Sequence, residues 1–297
     1  MKVIKNETDI ENIYTKEDPF IPSENSENLY KTGAFEMKYY VVDTFADTIF
    51  KGNPAGVCLL EGELEVTVMQ SIAAENNLSE TAFVIKRDGY YDLRWFTPKV
   101  EIDLCGHATL GSAYVIMNYI DDITNEVRFE TKSGVLTVKR KEDLYELDFP
   151  ARKARQIAIT TEMEQAISVT ILEAWILNNA RDLLLLLENE RQIKSVNPDF
   201  DILKALASHA VTITAQGDTV DFVSRFFAPN MGVSEDPVTG SAHTGLIPFW
   251  AERLNKNKMT AIQLSKRGGT LYCENCGDRV KIAGKAALYL QGEVFIR

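Results

Sequence analysis

The sequence predicts an α+β protein made of two similar lobes, each a mostly antiparallel sheet around a central helix. Two observations lead to this fold class. Short strand patterns outnumber helical patterns along the chain, and a glycine-rich corner followed by an apolar helix occurs once in each half. A doubly wound fold would instead alternate strands with helices. The length of 297 residues also suits two domains.

The folded part is expected to begin at Met37, because residues 1–36 show no sustained apolar periodicity. From there, apolar spacing predicts helices over 66–76 and 106–119. β-branched and aromatic runs predict strands over 39–42, 56–60, 81–85, 92–96, 127–130, 135–138 and 144–149.

After a break near Pro150, the second half repeats this order of elements. Its helices are predicted near 161–167, 201–207 and 241–254. Its strands are predicted over 183–187, 211–215, 221–227, 262–265, 270–273, 279–282 and 293–296.

Composition and charge exclude several classes of protein. The chain carries 32 Lys and Arg against 43 Asp and Glu, a formal charge of −11. Such a chain repels phosphate backbones and anionic lipids, so we expect neither nucleic acid nor a membrane as partner. Four cysteines are too few for a disulfide scaffold. No apolar run reaches the roughly 18 residues of a membrane span, and the first residues lack a secretory signal, so a cytoplasmic location is expected.

Two glycine corners, residues 103–111 and 235–245, are the main functional signal. In each, two glycines lie five positions apart, and an apolar helix pattern follows. Neither corner has the Lys-Ser/Thr pair of a phosphate-binding loop. One such corner could serve only to pack a helix against a sheet. Two at matching places favour another interpretation, in which backbone amides at helix N-termini bind a carboxylate or an enolate-type charge.

Four side chains near these corners are candidates for moving protons: Glu80, His107, Asp236 and His243. Glu80 could be a solvated strand end or, at the rim of the first lobe, a desolvated base. His107 could be functional or packed against a backbone carbonyl. His243 lies inside the second predicted helix, and a structural role is favoured there.

A metal site is not expected, because the chain has three histidines and no His-Glu-x-x-His motif. The single Cys-x-x-Cys stretch, residues 273–276, lies between two predicted strands and is interpreted as a hairpin turn. We therefore predict no ligand cluster, no metal and no nucleotide cofactor.

Four motifs resemble those of the phenazine biosynthesis-like isomerase family: KGNPAG at 51–56, NLSETAF at 77–83, DLCGHAT at 103–109 and EDPVTGSAH at 235–243. The resemblance extends from Met37 to Arg297. It implies the diaminopimelate epimerase fold, with two pseudo-symmetric lobes, each a barrel-like sheet around a central helix. The lobes would span 37–150 and 151–285, and the C-terminal strand, about 286–297, would return to the first lobe.

The same resemblance implies site residues and a reaction. Glu80 would be the acid–base, while His107, Asp236 and Ser241 would line the pocket and support proton transfer. Four further positions are expected to bind the substrate: Asn53, Gly106, Thr239 and Gly240. The founding reaction moves a proton between ring carbons of a dihydro-hydroxyanthranilate without a cofactor. We therefore expect a cofactor-independent isomerase of a small carboxylated metabolite, and a homodimer.

Two alternatives stay open at this point. Sister epimerases carry a cysteine before the glycine of each corner, where this chain has Cys105 and Thr239, which disfavours a two-thiol racemase. An amino-acid epimerase or dehydratase that uses Cys105 alone is the first alternative. A non-catalytic protein that binds a small anion is the second.

Overall fold

The computed structural model describes residues 35–177, 182–206 and 209–296. Residues 36–295 form one compact unit. The leader expected over 1–36 lies outside the described residues except for its last two. The final residues of the predicted helix 201–207 and of the C-terminal strand also lie outside them. Within these ranges, no helix is both long and apolar enough to cross a membrane.

The helices and strands of the first half follow one another in the order β1 (Phe35–Thr44), β2 (Asn53–Leu60), α1 (Val66–Asn76), β3 (Glu80–Lys86), β4 (Tyr91–Phe96), β5 (Glu101–Ile102), α2 (Gly106–Val115), β6 (Glu126–Thr131), β7 (Gly134–Lys141) and β8 (Leu144–Pro150). A π-helical segment, Ile116–Ile120, continues α2.

The second half continues with β9 (Ala154–Ile157), α3 (Thr161–Ile167), β10 (Glu173–Leu177), β11 (Asp182–Leu186), α4 (Glu190–Ser195), α5 (Phe200–Leu206), β12 (Ala210–Gln216), β13 (Phe222–Ala228), β14 (Val233–Asp236), α6 (Gly240–Leu254), β15 (Lys258–Gln263), β16 (Gly269–Asn275), β17 (Arg279–Gly284) and β18 (Ala286–Ile296). A 3-10 turn, Pro229–Met231, links β13 to β14.

Most predicted elements are present, and the differences have local causes. The strand predicted over 262–265 instead covers Lys258–Gln263, where buried and partly exposed residues alternate. The predicted helix 106–119 changes to π-helical turns at Ile116. The short elements β5, β9, β10, β14 and α4 were not predicted, because two to six residues carry too little periodicity.

The two halves repeat one pairing plan. In the first, β2 is parallel to β3, β3 antiparallel to β4, and β4 parallel to β6, which continues into the meander β6–β7–β8. In the second, β11, β12, β13 and β15 pair in the same senses and continue into β15–β16–β17. The predicted α+β class with two pseudo-symmetric lobes is confirmed.

The equivalent strands β8 and β17 join the halves as an antiparallel pair, in which Leu147 lies opposite Ile282. Because each strand ends the meander of its own half, the pair marks a pseudo-two-fold axis. The strands that follow are exchanged: β9 pairs with β10, and β18 pairs with β1. The lobe boundaries at 150 and 285 stay a prediction. The homodimer also stays a prediction. The exposed side chains of Tyr289, Leu290 and Phe295 on β18 are compatible with it.

The central helices α2 and α6 pack closely on their sheets because small residues face the strands. A Cβ at Gly111 of α2 would lie 3.3 Å from Thr44 Cγ2 and 3.5 Å from Ala55 Cβ. A Cβ at Gly245 of α6 would lie 2.7 Å from Leu177 Cδ2. The later glycine of each corner therefore serves helix–sheet packing, and only the earlier one is free for another role.

We predict that Gly284→Ala destabilises the fold, because a Cβ there would lie 2.3 Å from Phe45 Cδ1 and 3.2 Å from Phe45 Cα. Phe45 is almost fully buried and has no open space to move into. Overpacking of this kind costs about 1–3 kcal/mol, measurable as the free energy of unfolding in urea. The matched control is Gly292→Ala on β18, whose Cβ would meet its nearest atom at 3.8 Å. Equal stability of the two variants would contradict the prediction.

Candidate active site

The N-termini of α2 and α6 meet between the two halves. A Cβ at either Gly106 or Gly240 would lie 4.0 Å from the Cα of the other. The residues that precede these helices, Cys105 and Thr239, are extended, and neither side chain caps its helix. The first amides of a helix have no intrahelical partner, and the helix dipole places positive charge there. Two positive helix ends therefore face one small space.

Glu80 and His107 form an ion pair beside these helix ends. Glu80 is the first residue of β3 and lies opposite Ala55 of β2 in the parallel register. Its Oε2 lies 3.0 Å from Nε2 of His107, the second residue of α2. Both side chains are largely buried, with 14% and 7% of their surface exposed. The carboxylate is therefore held in one direction at the rim of the first sheet.

Cys105 lies on the other side of the same imidazole. Its Sγ is 3.5 Å from His107 Nδ1. Burial raises the pKa of the Cys105 thiol above its ordinary value. Burial by itself would lower the pKa of His107, but the charges and hydrogen bonds of Cys105 and then Glu80 outweigh it and raise that pKa well above the ordinary value. The carboxyl group, the imidazole and the thiol thus form one buried, electrostatically coupled group.

Asp236, the last residue of β14, contributes a second carboxyl group. Asn53 Nδ2 donates to its Oδ1 at 2.8 Å, and the Thr239 hydroxyl donates to its Oδ2. Asn53 Nδ2 also donates to the Val238 carbonyl at 3.0 Å and lies 3.4 Å from His107 Nδ1. Burial raises the pKa of Asp236 to about 6, although both hydrogen bonds favour its ionised form.

The structure thus brings together six of the expected side chains and backbone positions around Glu80; Ser241 follows Gly240 directly, and His243 lies one turn further along α6. Ser241 is the second residue of α6, in the same relative place as His107 in α2, and its carbonyl accepts the Thr244 hydroxyl at 2.7 Å. His243 is fully buried, and its Nδ1 lies 2.8 Å from the Thr239 carbonyl. Burial lowers the pKa of His243 to about 4, which fits a neutral structural histidine.

Gln263 belongs to the site and was not found in the sequence. Its Oε1 accepts the Thr239 amide at 2.9 Å, and its Nε2 donates to the Asp236 carbonyl at 2.7 Å. The side chain is fully buried and fixes the turn between β14 and α6. The alternation of β15, which buries Met259, Ala261 and Gln263, was the signal that could have shown it.

The expectation of no ligand cluster was wrong for the residues that the structure describes. One oxygen of Glu80, the Cys105 sulfur and one nitrogen of His107 lie within 4.8 Å of one another. Carboxylate, thiolate and imidazole are ligands that zinc accepts. The sequence did not show the group because β3 and α2 meet only in the folded chain. In the structure, Glu80 pairs with the imidazole, and the sulfur lies against it.

Comparison with known proteins now identifies the family. The profile described as phenazine biosynthesis-like protein matches residues 42–292. The chain belongs to this family. Among its relatives, an uncharacterised isomerase of Pseudomonas aeruginosa is 49% identical over 261 residues, covering 88% of this chain and 100% of that protein. This phenazine biosynthesis-like protein is accordingly an enzyme of the isomerase class.

Solved structures agree with the fold. The crystal structure of a PhzF family protein from Enterococcus faecalis matches with a TM-score of 0.86 at 49% identity, covering 88% of this chain and 100% of that one. A hydroxyproline epimerase from Agrobacterium vitis matches with a TM-score of 0.57 at 11% identity, covering 88% and 93%. At that identity the second match shows a shared fold only. The fold is thus common to phenazine biosynthesis-like proteins and epimerases.

For this phenazine biosynthesis-like protein, we predict that Asp236→Asn gains stability relative to the natural chain as the pH rises from about 4 to about 7. Folding raises the pKa of Asp236 from 3.8 to about 6, so the folded state binds the extra proton within that window. The contribution of Asp236 to stability therefore falls as the pH rises, by roughly 3 kcal/mol in all. The measurement is urea unfolding of both proteins across this pH range.

The control for this measurement is Asp148→Asn, which removes an exposed carboxylate paired with Arg279. Its stability difference should change by less than about 1 kcal/mol over the same range, because surface ion pairs contribute little. A difference between Asp236→Asn and the natural chain that does not vary with pH would contradict the prediction.

Proposed function

We propose that this protein is an isomerase that moves a proton between two carbon atoms of a small carboxylated metabolite, with Glu80 as general acid–base. The observation that carries the proposal is the buried pair of Glu80 and His107 next to two helix N-termini that face each other. A base held in one orientation is positioned for proton transfer, and general acid–base catalysis contributes typically 10²–10⁴-fold.

The space between the helix ends supports an anionic substrate. A Cβ at Gly106 would meet Phe149 Cζ at an ordinary 3.5 Å, and one at Gly240 would meet Phe45 Cζ at 3.9 Å. Neighbouring protein atoms therefore do not require glycine at either position. The absent side chains instead leave room for a group that approaches the backbone amides. A carboxylate, or an enolate-type charge that develops next to it, suits amides of this kind.

The proposed step needs no external electron donor or acceptor. Glu80 removes a proton from a carbon of the substrate, and the electron pair of that C–H bond moves into the adjacent conjugated system. The negative charge develops toward the helix N-termini. Glu80 then returns the proton to a second carbon while the double bond shifts. One C–H bond breaks and one forms, so the overall change is an isomerisation.

His107 and Asp236 support this step in different ways. The imidazolium lies 3.0 Å from Glu80 Oε2 and restricts the carboxylate to one orientation. Burial raises the pKa of Asp236 to about 6, so the protonated form is common in mildly acidic solution and a minority at pH 7. A protonated carboxyl at the end of β14 would donate a hydrogen bond to a substrate oxygen. The two acids thus have different environments, as is typical of acid–base sites.

We expect Glu80→Gln to lower kcat by about 10²–10⁴-fold while leaving substrate affinity nearly unchanged, because the amide keeps the shape but accepts no proton. The measurement uses a panel of small unsaturated and cyclic carboxylic acids in D₂O. Mass spectrometry then detects the one whose mass rises by deuterium exchange and whose isomer appears.

The matched control is Glu146→Gln on β8, a glutamate whose side chain is 13% exposed, against 14% for Glu80. It bonds Lys141 and Lys281 away from the helix ends, so deuterium exchange should be unchanged. Full deuterium exchange and turnover in Glu80→Gln would remove this residue from the mechanism.

A second candidate is an epimerase that uses the Cys105 thiol as its base. The contact between Cys105 Sγ and His107 Nδ1 favours it. Against it, burial raises the pKa of the thiol, and Thr239 occupies the equivalent position before α6. The hydroxyl of Thr239 is bonded to Asp236, so it is not available as a second base.

We therefore expect Cys105→Ser to retain turnover within about fivefold, the equivalent of one neutral hydrogen bond of about 1 kcal/mol. The exposed Cys276 supplies the control, Cys276→Ser, for alkylation by iodoacetamide. Alkylation should modify Cys276 first and leave turnover intact. Loss of turnover in Cys105→Ser at unchanged stability, with full turnover in Glu80→Gln, would establish the epimerase candidate instead.

A further inference from the structure

The loop between β1 and β2, residues 45–52, is held by the second half of the chain. The Gly52 amide donates to the Gly268 carbonyl at 2.7 Å, and the Thr270 amide donates to the Phe45 carbonyl at 2.9 Å. The Ala46 amide donates to the Lys285 carbonyl at 3.3 Å. A segment of the first half is thus held by the turn between β15 and β16, by the start of β16 and by Lys285, which follows β17.

Arg267, in the turn between β15 and β16, makes three further contacts with the first half. Its Nε donates to the Gly52 carbonyl at 2.8 Å, and its Nη2 donates to the Lys51 carbonyl at 2.9 Å and to Asp43 Oδ1 at 2.7 Å. The other oxygen of Asp43 accepts the Phe50 amide at 2.7 Å. The Asp43 side chain is only 3% exposed, and these partners compensate for the loss of its contact with water. We call Arg267, Asp43 and the two carbonyls the clasp.

The clasp ends one residue before the site. Gly52 has φ +64°, and a Cβ there would lie 2.0 Å from the Thr44 carbonyl oxygen. The backbone that leads into Asn53 is therefore tightly packed. The Thr44 hydroxyl donates to the Asn53 carbonyl at 2.9 Å. Both hydrogens of the Asn53 amide are used, one for Asp236 Oδ1 and one for the Val238 carbonyl. A shift of Gly52 must therefore move the partner of Asp236.

We propose that Arg267 is a positioning residue of the second half, which holds Asn53 of the first half against Asp236 and thereby sets the geometry of the acid–base site. This rests on the proposed function only for the role of Asp236 in turnover. The contacts themselves run from Arg267 through Gly52 and Asn53 to Asp236, and every link is a hydrogen bond of 3.0 Å or less or a peptide bond.

The hydrogen bonds of the clasp require arginine and cannot all be made by lysine. One planar guanidinium reaches a carboxylate and two carbonyls at once, whereas an ammonium is a single point charge on a flexible stem. Lys at 267 would keep the charge opposite Asp43 but lose the fixed fork. Arg267→Lys therefore separates positioning from charge.

The first test measures the pKa of Asp236 itself by ¹³C NMR of carboxyl-labelled aspartate, with the signal assigned through Asp236→Asn. The hydrogen bond from Asn53 favours the ionised form of Asp236, so loosening Asn53 should raise this pKa. We expect Arg267→Lys and Asn53→Ala each to raise it by at least about 0.5 unit. If Arg267 acted through its charge alone, the pKa of Asp236 in Arg267→Lys would equal that of the natural chain. That result would overturn the proposal.

A double-variant cycle tests the route. If Arg267 acts through Asn53, Arg267→Lys should shift the Asp236 pKa no further once Asn53 is already alanine. Additive shifts would overturn this route. The matched control is Arg279→Met, which removes an exposed guanidinium bonded to Asp148 and should leave the pKa unchanged. If Arg267→Lys does not fold, Asp43→Asn breaks the same clasp and should give the same shift.

Kinetics complete the test once the deuterium-exchange panel has supplied a substrate. Arg267→Lys should lower kcat by about tenfold to a hundredfold with little change in KM, because a small displacement of a reacting group is costly. An unchanged kcat with a shifted Asp236 pKa would reject the proposed role of Asp236 and leave the positioning by Arg267 standing. An unchanged pKa with lowered kcat would reject the positioning.

Discussion

The antiparallel pairing of β8 with β17 is the contact on which the site depends. Each strand ends the meander of its own half, and Leu147 lies opposite Ile282 at the centre of the pair. This pairing relates the halves by a pseudo-two-fold axis. Because α2 and α6 occupy equivalent places, the axis makes their N-termini face each other. Without the pair, each corner would be an isolated helix end with an apolar helix behind it.

Two helix N-termini that face each other carry like partial charges, about half an elementary charge each, and repel. The structure offsets this with carboxyl groups: Glu80 contacts the first turn of α2, and Asp236 is bonded to the residue that precedes α6. A substrate anion would act in the same sense. The repulsion between the two helix ends is thus a feature that an anionic ligand would relieve.

The two halves share one strand-pairing plan but differ in the side chains at the site. Thr109 and His243 occupy equivalent places and both bond the carbonyl of the residue before their helix. Ser133 and Ser265 likewise bond carbonyls of Asp103 and Pro237. By contrast, the first half carries Glu80 paired with His107, and the second carries Ser241 and a Thr239 whose hydroxyl is bonded to Asp236. The proposed proton-transfer group therefore lies in one half, and the other half forms the opposite side of the space.

Much of this could be predicted from local patterns. The helix over 66–76 and most strands were predicted, because apolar spacing and β-branched runs are patterns that extend over only a few residues. The corner motifs indicated Glu80, His107 and Asp236 as site residues, a prediction that awaits the measurements. Gln263 and Arg267 were not found, because nothing next to them in the chain marks what they contact: Arg267 bonds residues more than 200 positions away.

The sequence by itself determined the fold class, the repeat of two similar halves and the residue types at each corner, because these follow from periodicity and from short motifs. Only the tertiary structure decided which glycine packs and which faces the other helix, that Thr239 is committed to Asp236, and that Glu80, Cys105 and His107 meet. The physical reason is that burial, charge coupling and hydrogen-bond direction depend on distances between strands that are far apart in the chain. The register of β8 on β17 sets those distances, and no local pattern encodes it.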